Sequence, residues 1–573
     1  MSGTAVFAVL VTAKLVSFVA VGLPPLREGP GLFAGDALVA LAFGALAAMR
    51  VRWLVTGVYV AVAVHAAIAA ALVAAIGSPL SLPMLAGVDP AMGDSAAHAA
   101  SAQSLGAALV VLLVAGLAPG LAARLRPQAR PRLTLAGVLL ALPAIGAAPS
   151  LPAHRNALLF LLRGAVERPV PADGFAPATR APGRAVEDPA LLALRGAARG
   201  MDLVLVVLES AAPRFLRPYG ADEDPMPFLT ELSGRSLLAR HACAVYPESI
   251  KGQIAIFHAV HPAPGTEATD YARVPVPGLA GLLGEAGYAT ALFHSGRFRF
   301  LGMEDVLTRS GFAHRVDAAS LSGVRESSFG VDEETTVDAL LGWLDGQRRE
   351  GQGERPCFAA WLPIAGHHPY ESPAGGPFAY DSMLGCYRNA LWYADRSLRR
   401  LVDGLAARQR LDRTVLVVVG DHGQAFGEHD GNFGHTFALY EENVAVPLVL
   451  RVPGRTDPGL VLDSPVSHVD LAPTLLELLG LPPLAGHEGS SFLSVRDRPC
   501  FYFADWGARL VGVREGRHKA IFDGDTGQVE LFDLAGDPGE SLDRSAREPG
   551  LGERLGTSAA AFFASQTAAV RGW

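Results

Sequence analysis

The chain has 573 residues, more than one hydrophobic core usually organises, so at least two structural regions are expected. Half of its residues are hydrophobic and its mean hydropathy is +0.28, which argues against a uniformly soluble composition. The formal net charge of −8, with Lys and Arg scattered rather than striped, argues against a nucleic-acid partner.

Residues 1–151 are dominated by Ala, Leu, Val and Gly in apolar blocks of about spanning length. Five helices are expected there, near 5–26, 36–49, 53–76, 104–123 and 133–151, the second short and the fifth carrying Pro143. Further spans after the first argue against a cleaved signal peptide. Arg50 and Arg52 separate spans two and three, and Arg124, Arg126, Arg130 and Arg132 separate spans four and five, so those loops belong in the cytoplasm. The loop at 77–101 holds Asp89 and Asp94 but no Lys or Arg, which fits the outer face. A multi-pass region in the cell membrane with its amino terminus inside and five crossings delivers the rest of the chain to the outside. Lys14 falls within the first span, where a charge costs roughly 2.5–3.5 kcal/mol. Pairing or snorkelling is expected of it more than contact with a lipid headgroup.

Residues 152–199 read as a short interfacial helix, 155–163, and a Pro/Ala/Gly/Arg-rich linker. Residues 200–495 then show β-branched runs alternating with amphipathic segments, the pattern of an α/β domain. Strands are expected at 203–208, 288–293, 357–364, 414–419 and 446–452, and helices at 277–286, 333–347, 382–407 and 470–479. The first four strands run directly into Glu209, His294, His367 with His368, and Asp421 with His422. In an open parallel sheet such residues converge beyond the carboxyl ends of the strands, where ligands bind. Between the first two strands, Ile250, Ile254, Phe257 and His261 repeat at about helical spacing, which puts Ser249 at a helix start. There it would either face an anion held by the helix terminus or serve only as an N-cap. Residues 496–573 carry four short strand-like runs with Gly-rich turns, a small antiparallel subdomain followed by a tail. Cys243, Cys357, Cys386 and Cys500 lack CxxC spacing; they are either disulfides, with three connectivities if all pair, or buried free thiols.

Leu208-Glu209-Ser210, the Ser249 segment ending in His261-Pro262, Phe293-His294-Ser295-Gly296 and Gly366-His367-His368-Pro369-Tyr370 form one series of motifs. Gly420-Asp421-His422-Gly423, Gly427-Glu428-His429 and Gly434-His435 with Leu439-Tyr440-Glu441-Glu442 continue it. In this order and spacing the stretch from Met201 to about Leu542 resembles the alkaline phosphatase and sulfatase superfamily. With the apolar region ahead of it, the chain looks like the membrane-anchored branch, the lipoteichoic acid synthases and phosphoethanolamine or phosphoglycerol transferases.

The resemblance implies that Glu209, Ser249, Asp421 and His422 bind one divalent metal and that Ser249 is also the nucleophile. Ser249 stands thirteen positions before Pro262, as the family nucleophile does before the residue closing its helix, which selects it over Ser210. Oxygen and imidazole donors suit Mn²⁺ or Zn²⁺ and are less diagnostic of Ca²⁺ or Mg²⁺. His294, His367, His429 and His435 are expected to bind phosphoryl oxygens or to act as acid and base. Lys251 and Arg297 are candidates for an anionic headgroup, against solvated charges. Sulfatases require a (C/S)xPxR motif for conversion to formylglycine, and Ser249-Ile250-Lys251-Gly252-Gln253 lacks its Pro and Arg. The expected function is transfer of a phospholipid headgroup to an envelope glycan or lipid, with a membrane-anchored sulfatase or phosphodiesterase as the alternative. A binding-only domain is the third reading, opposed by the intact ligand set.

Overall fold

The computed structural model describes residues 2–21, 32–49, 51–76, 79–80, 102–125, 156–164, 183–323, 330–347, 355–373 and 375–573. The expected span at 133–151, the loop charges Arg50, Asp89, Asp94, Arg126, Arg130 and Arg132, and most of the linker lie outside these residues.

The first apolar segments form helices α1 (Gly3–Val21), α2 (Ala34–Ala48), α3 (Arg52–Ile76) and α4 (Ala102–Leu125). Small and β-branched side chains, among them Val6, Val9, Ala40, Ala66 and Val111, fill the space between them. Tyr59 on α3 donates to Ala115 O on α4 at 2.7 Å, closing a polar group inside the bundle. Two stretches among the described residues, Arg52–Ala74 and Gln103–Arg124, are long and apolar enough to cross a membrane. Helix α5 (Ala157–Gly164) follows, and its first turn packs Leu158 and Leu159 against the bundle core.

The second region is built on a nine-stranded sheet. Its strands are β1 (Asp202–Leu208), β2 (Leu237–Cys243), β3 (Ala289–His294), β4 (His314–Val316), β5 (Cys357–Leu362), β6 (Thr414–Gly420), β7 (Ala445–Arg451), β8 (Leu460–Leu462) and β9 (Val466–Ser467). They run in the order β8-β2-β7-β6-β1-β5-β3-β4, with β9 also paired to β2. Only β7 is reversed: it is antiparallel to both β6 and β2, and every other pairing is parallel. The carboxyl ends of β1, β2, β3, β5 and β6 therefore share one edge.

The period-two pleat divides β1 between two cores. Leu203, Leu205 and Val207 face α7 (Ser249–His258), α8 (Leu279–Glu285) and α11 (Leu471–Leu478). Val204, Val206 and Leu208 face α6 (Pro227–Ser233), α9 (Glu333–Gly346) and α10 (Met383–Ala407). Each such side chain contributes about 1.5–3 kcal/mol by leaving water, so the strand that carries Glu209 is anchored on both faces.

Residues 500–533 form an antiparallel sheet of four strands, β10 (Cys500–Ala504), β11 (Leu510–Glu515), β12 (His518–Asp523) and β13 (Val529–Asp533). The expected tail is instead helix α12 (Pro549–Arg571), whose Leu555, Ala559, Phe562 and Phe563 cover one face of that sheet. All four cysteines are free thiols.

Candidate active site

Beyond β1 the chain turns through Glu209 and Ser210, and Ser210 adopts φ 54°. A left-handed serine costs of order 1–3 kcal/mol unless its surroundings hold it. Tyr387 on α10 does so: its hydroxyl donates to Ser210 O at 2.7 Å and accepts from Ala212 N at 3.1 Å. Ser210 N donates to Asp421 Oδ1 at 2.8 Å, which ties this turn to the end of β6. The neighbouring loop comes so close that a Cβ at Gly366 would collide with Glu209 O. A Cβ at Gly423, after His422, would likewise collide with Glu442 O.

Glu209, Asp421 and His422 present ligand atoms that all lie within 4.8 Å of one another. His422 Nε2 is 3.4 Å from Asp421 Oδ2 and 3.6 Å from Glu209 Oε1. His422 Nδ1 donates to Gly423 O at 3.0 Å, which turns Nε2 towards the two carboxylates. Ser249 Oγ completes the group, 3.1 Å from Glu209 Oε2 and 3.3 Å from His422 Nε2, and is half-buried. Among the described residues no Lys or Arg pairs with Glu209 or Asp421. Burial, then the charge of Asp421, holds the Glu209 carboxyl well above the usual carboxylate range. Two buried carboxylates, an imidazole and a hydroxyl, with no Lys or Arg paired to them among the described residues, fit one divalent ion, which removes the repulsion. The four residues expected at the metal are thus brought together.

Ser249 is the first residue of α7, not its cap. Glu248 is the cap, its carboxylate accepting from Ile250 N at 2.8 Å and Lys251 N at 3.4 Å. The helix terminus expected to stabilise an anion has therefore already given those N–H groups to Glu248. Lys251 turns to the carboxyl-terminal subdomain, 3.7 Å from Asp505 Oδ2 and over the Tyr246 ring.

Three of the four expected substrate histidines surround the cluster. His435 stacks on His422, ring centres 3.8 Å apart, with Nδ1 3.1 Å from Gln424 Oε1. His294 Nδ1 donates to Leu362 O at 3.0 Å and His367 Nδ1 to His368 O at 2.6 Å, which fixes the orientation of each ring. Burial lowers the pKa of His294 to about 4, and lowers those of His367 and His435, His435 to well below its ordinary value. Phe298 stacks on His294 and Phe300 meets His367 edge-on, which places Arg297 beside this rim.

His429 is the exception. Its Nδ1 lies 2.5 Å from Glu442 Oε1, its Nε2 3.1 Å from Glu540 O, and its ring stacks on Tyr440 at 3.7 Å. Burial opposes its charge, yet the bond to Glu442 and that carboxylate's charge raise its pKa. Both nitrogens are spent on packing, so the structure gives His429 a scaffold role. His258 and His261 each bond through Nδ1 away from the cluster, to Val276 O and Glu488 Oε2.

Sequence reasoning missed the supports. Strand β2 was not expected, yet its carboxyl end delivers Ser249 to the site edge. Buried Glu333 on α9 accepts from Ser295 Oγ and, at 2.8 Å, from Ile364 N, bridging the segments that carry His294 and His367. Burial pushes its pKa up to about 7. His468 Nε2 donates to Gly420 O at 2.9 Å, pinning the residue ahead of Asp421.

Residues 201–481 match the sulfatase family model, and residues 427–547 match that of the N-sulphoglucosamine sulphohydrolase carboxyl-terminal region. The chain is 29% identical over 178 residues to N-acetylglucosamine-6-O-sulfatase of Bacteroides thetaiotaomicron, 28% of this chain and 32% of that protein. It thus spans about a third of the length of the curated relatives it matches. Lipoteichoic acid synthase LtaP from Listeria monocytogenes shares the fold with TM-score 0.52 and 19% identity, over 68% of this chain and 96% of that one. An alkaline phosphatase superfamily protein from Vibrio parahaemolyticus does so with TM-score 0.53 and 20% identity, over 69% and 93%.

Proposed function

The chain belongs to the alkaline phosphatase and sulfatase superfamily, and from that premise we propose that it is a membrane-anchored, metal-dependent phosphotransferase. It moves a phospholipid headgroup, phosphoglycerol or phosphoethanolamine, onto an envelope glycan or lipid. The observation that carries this reading is the Ser249 hydroxyl, 3.1 Å from Glu209 and 3.3 Å from His422, in a sequence without the Pro and Arg of the formylglycine motif.

A free serine hydroxyl is a weak nucleophile at neutral pH. A dication held by Glu209, Asp421, His422 and Ser249 supplies the positive charge that favours the deprotonated hydroxyl and offsets charge on the phosphoryl oxygens. Ser249 Oγ attacks phosphorus, the Oγ–P bond forms, and the P–O bond to diacylglycerol breaks. Diacylglycerol leaves as the alcohol with the proton that Ser249 gives up. An acceptor hydroxyl then attacks the phosphoseryl ester, and its proton returns to Ser249. His294, His367 and His435 line the cluster and contribute imidazole nitrogens, either as a lone pair or, after taking up a proton, as a donor to a phosphoryl oxygen. Glu333 keeps two of these imidazoles in place.

The apolar helices support the anchoring, since two are long enough to span, and the positions of Arg between the spans support a cytoplasmic amino terminus with the catalytic domain outside. The identity to N-acetylglucosamine-6-O-sulfatase supports a second reading, in which water is the acceptor and the enzyme is a sulfatase or phosphodiesterase. Purified protein incubated with labelled phosphatidylglycerol and phosphatidylethanolamine separates the two. Release of diacylglycerol with label moving to an acceptor supports transfer, whereas cleavage of sulfate esters with both lipids untouched overturns it.

A further inference from the structure

The bundle holds a buried charge that the proposed chemistry does not use. Lys14 on α1 pairs with Asp36 in the first turn of α2, Nζ to Oδ2 2.5 Å, their side chains 4% and 1% exposed. Lys14 Nζ also donates to Leu32 O at 2.5 Å. The other carboxylate oxygen of Asp36 accepts from Asn156 Nδ2 at 2.6 Å, and Asn156 Oδ1 accepts from Leu159 N at 2.9 Å. Asn156 is thereby the N-cap of α5 while bonded to a carboxylate 120 residues away in sequence. The approach is close, for a Cβ at Gly35 would lie 2.9 Å from Asn156 Cβ.

The named donors and acceptors are matched within the chain, so this group is not built to bind a ligand. Its position says what it does instead. Helix α5 is the last described element before the segment leading into the catalytic domain, and its first turn is the part that Asp36 holds. Helices in lipid gain little from burying apolar surface against one another, so packing and buried polar contacts set their register. A lone buried ion pair is a better device for fixing geometry than for stability. The local concentration of a tethered site at its substrate depends on how its linker is fixed.

We propose that Lys14, Asp36 and Asn156 act together as positioning residues, a polar joint that fixes helix α5, the root of the tether carrying the catalytic domain, against the bundle and so sets where that domain is anchored relative to a membrane-embedded ester. This rests on the lipid-donor reading above. Full-length protein in phosphatidylglycerol and phosphatidylethanolamine vesicles is assayed for diacylglycerol release and for hydrolysis of soluble bis(p-nitrophenyl) phosphate. In parallel, the distance between nitroxides on Ala48→Cys and Leu161→Cys is measured in a Cys386→Ser background. Asp36→Asn and Asn156→Ser are expected to broaden that distance distribution and to lower diacylglycerol release about tenfold or more, with soluble-ester turnover changed less than about twofold. Asn156→Ser retains a good N-cap, so behaviour like the unsubstituted protein would mean that capping alone matters and would overturn the joint. An unbroadened distance, or an equal fall with both substrates, also overturns it. If the unsubstituted protein releases no diacylglycerol from either lipid, the transferase reading fails and the nitroxide distance alone decides the joint.

Discussion

Asp36 in the helical bundle and Glu209 at the sheet edge are both buried carboxylates, and they differ in what balances them. Asp36 meets Lys14 and Asn156, so its charge and lone pairs are answered from within the chain. Glu209 lies beside a second carboxylate, Asp421, and among the described residues it is paired with no Lys or Arg but with the His422 imidazole, whose Nδ1 donates to Gly423 O. Burying an unbalanced pair is costly unless a counter-charge is supplied. Internal balance marks a joint, and imbalance marks a site whose donors suit a cation. Glu333 shows a third solution: burial holds its pKa up to about 7, so below that pH it keeps its own proton.

The sharpest test of this contrast is at the hydroxyl that completes the unbalanced group. Ser249→Ala is expected to lower turnover by about 10⁴-fold or more, with an unchanged melting temperature. Retained turnover would mean that the nucleophile lies elsewhere. Next in size is the response to metal. Mn²⁺ or Zn²⁺ at a thousandfold excess over Kd is expected to stabilise the folded protein by about 4 kcal/mol, read as a rise in melting temperature that chelation reverses. Glu209→Gln should remove that rise and Asp36→Asn should leave it intact; the opposite pattern breaks the comparison.

Glu333 gives a smaller effect with a definite sign. Its pKa is raised from 4.5 to about 7, so it adds stability below about pH 4.5 that is lost as pH rises through 7. The loss amounts to about 3 kcal/mol at most. Melting temperatures of the unsubstituted protein at pH 5 and pH 8 should differ by more than those of Glu333→Gln, and equal differences would remove Glu333 from this account. Smallest is Tyr387→Phe, which deletes the hydroxyl holding the Ser210 turn. It is expected to cost about 1–2 kcal/mol in denaturant unfolding and to lower metal affinity, because Glu209 adjoins that turn.

Much of the site was legible because buried strands are written in β-branched runs and the ligands follow them directly. Asp202–Leu208 and Thr414–Gly420 were foreseen to within a residue or two, and Glu209, Asp421 and His422 with them. Strand β2 escaped because Arg240 and His241 face solvent at adjacent positions and break the alternation. Helix α12 had a signal that was passed over, since Leu555, Ala559, Phe562, Phe563, Gln566 and Val570 recur at helical spacing among Gly, Ala and Ser. Tyr387 and Glu333 had none, as their partners are main-chain atoms and a serine far off in sequence. His429 was misread because a motif gives its position but not that Glu442 and Glu540 would occupy both ring nitrogens.

The most direct test of the central claim is peptide mass spectrometry of the segment containing Ser249, from resting protein and from protein acid-quenched during turnover of phosphatidylglycerol or phosphatidylethanolamine. An unmodified serine at rest, and a phosphoglycerol or phosphoethanolamine ester on Ser249 after quenching, is the predicted result. Formylglycine at position 249, or an adduct on any other residue, would contradict it.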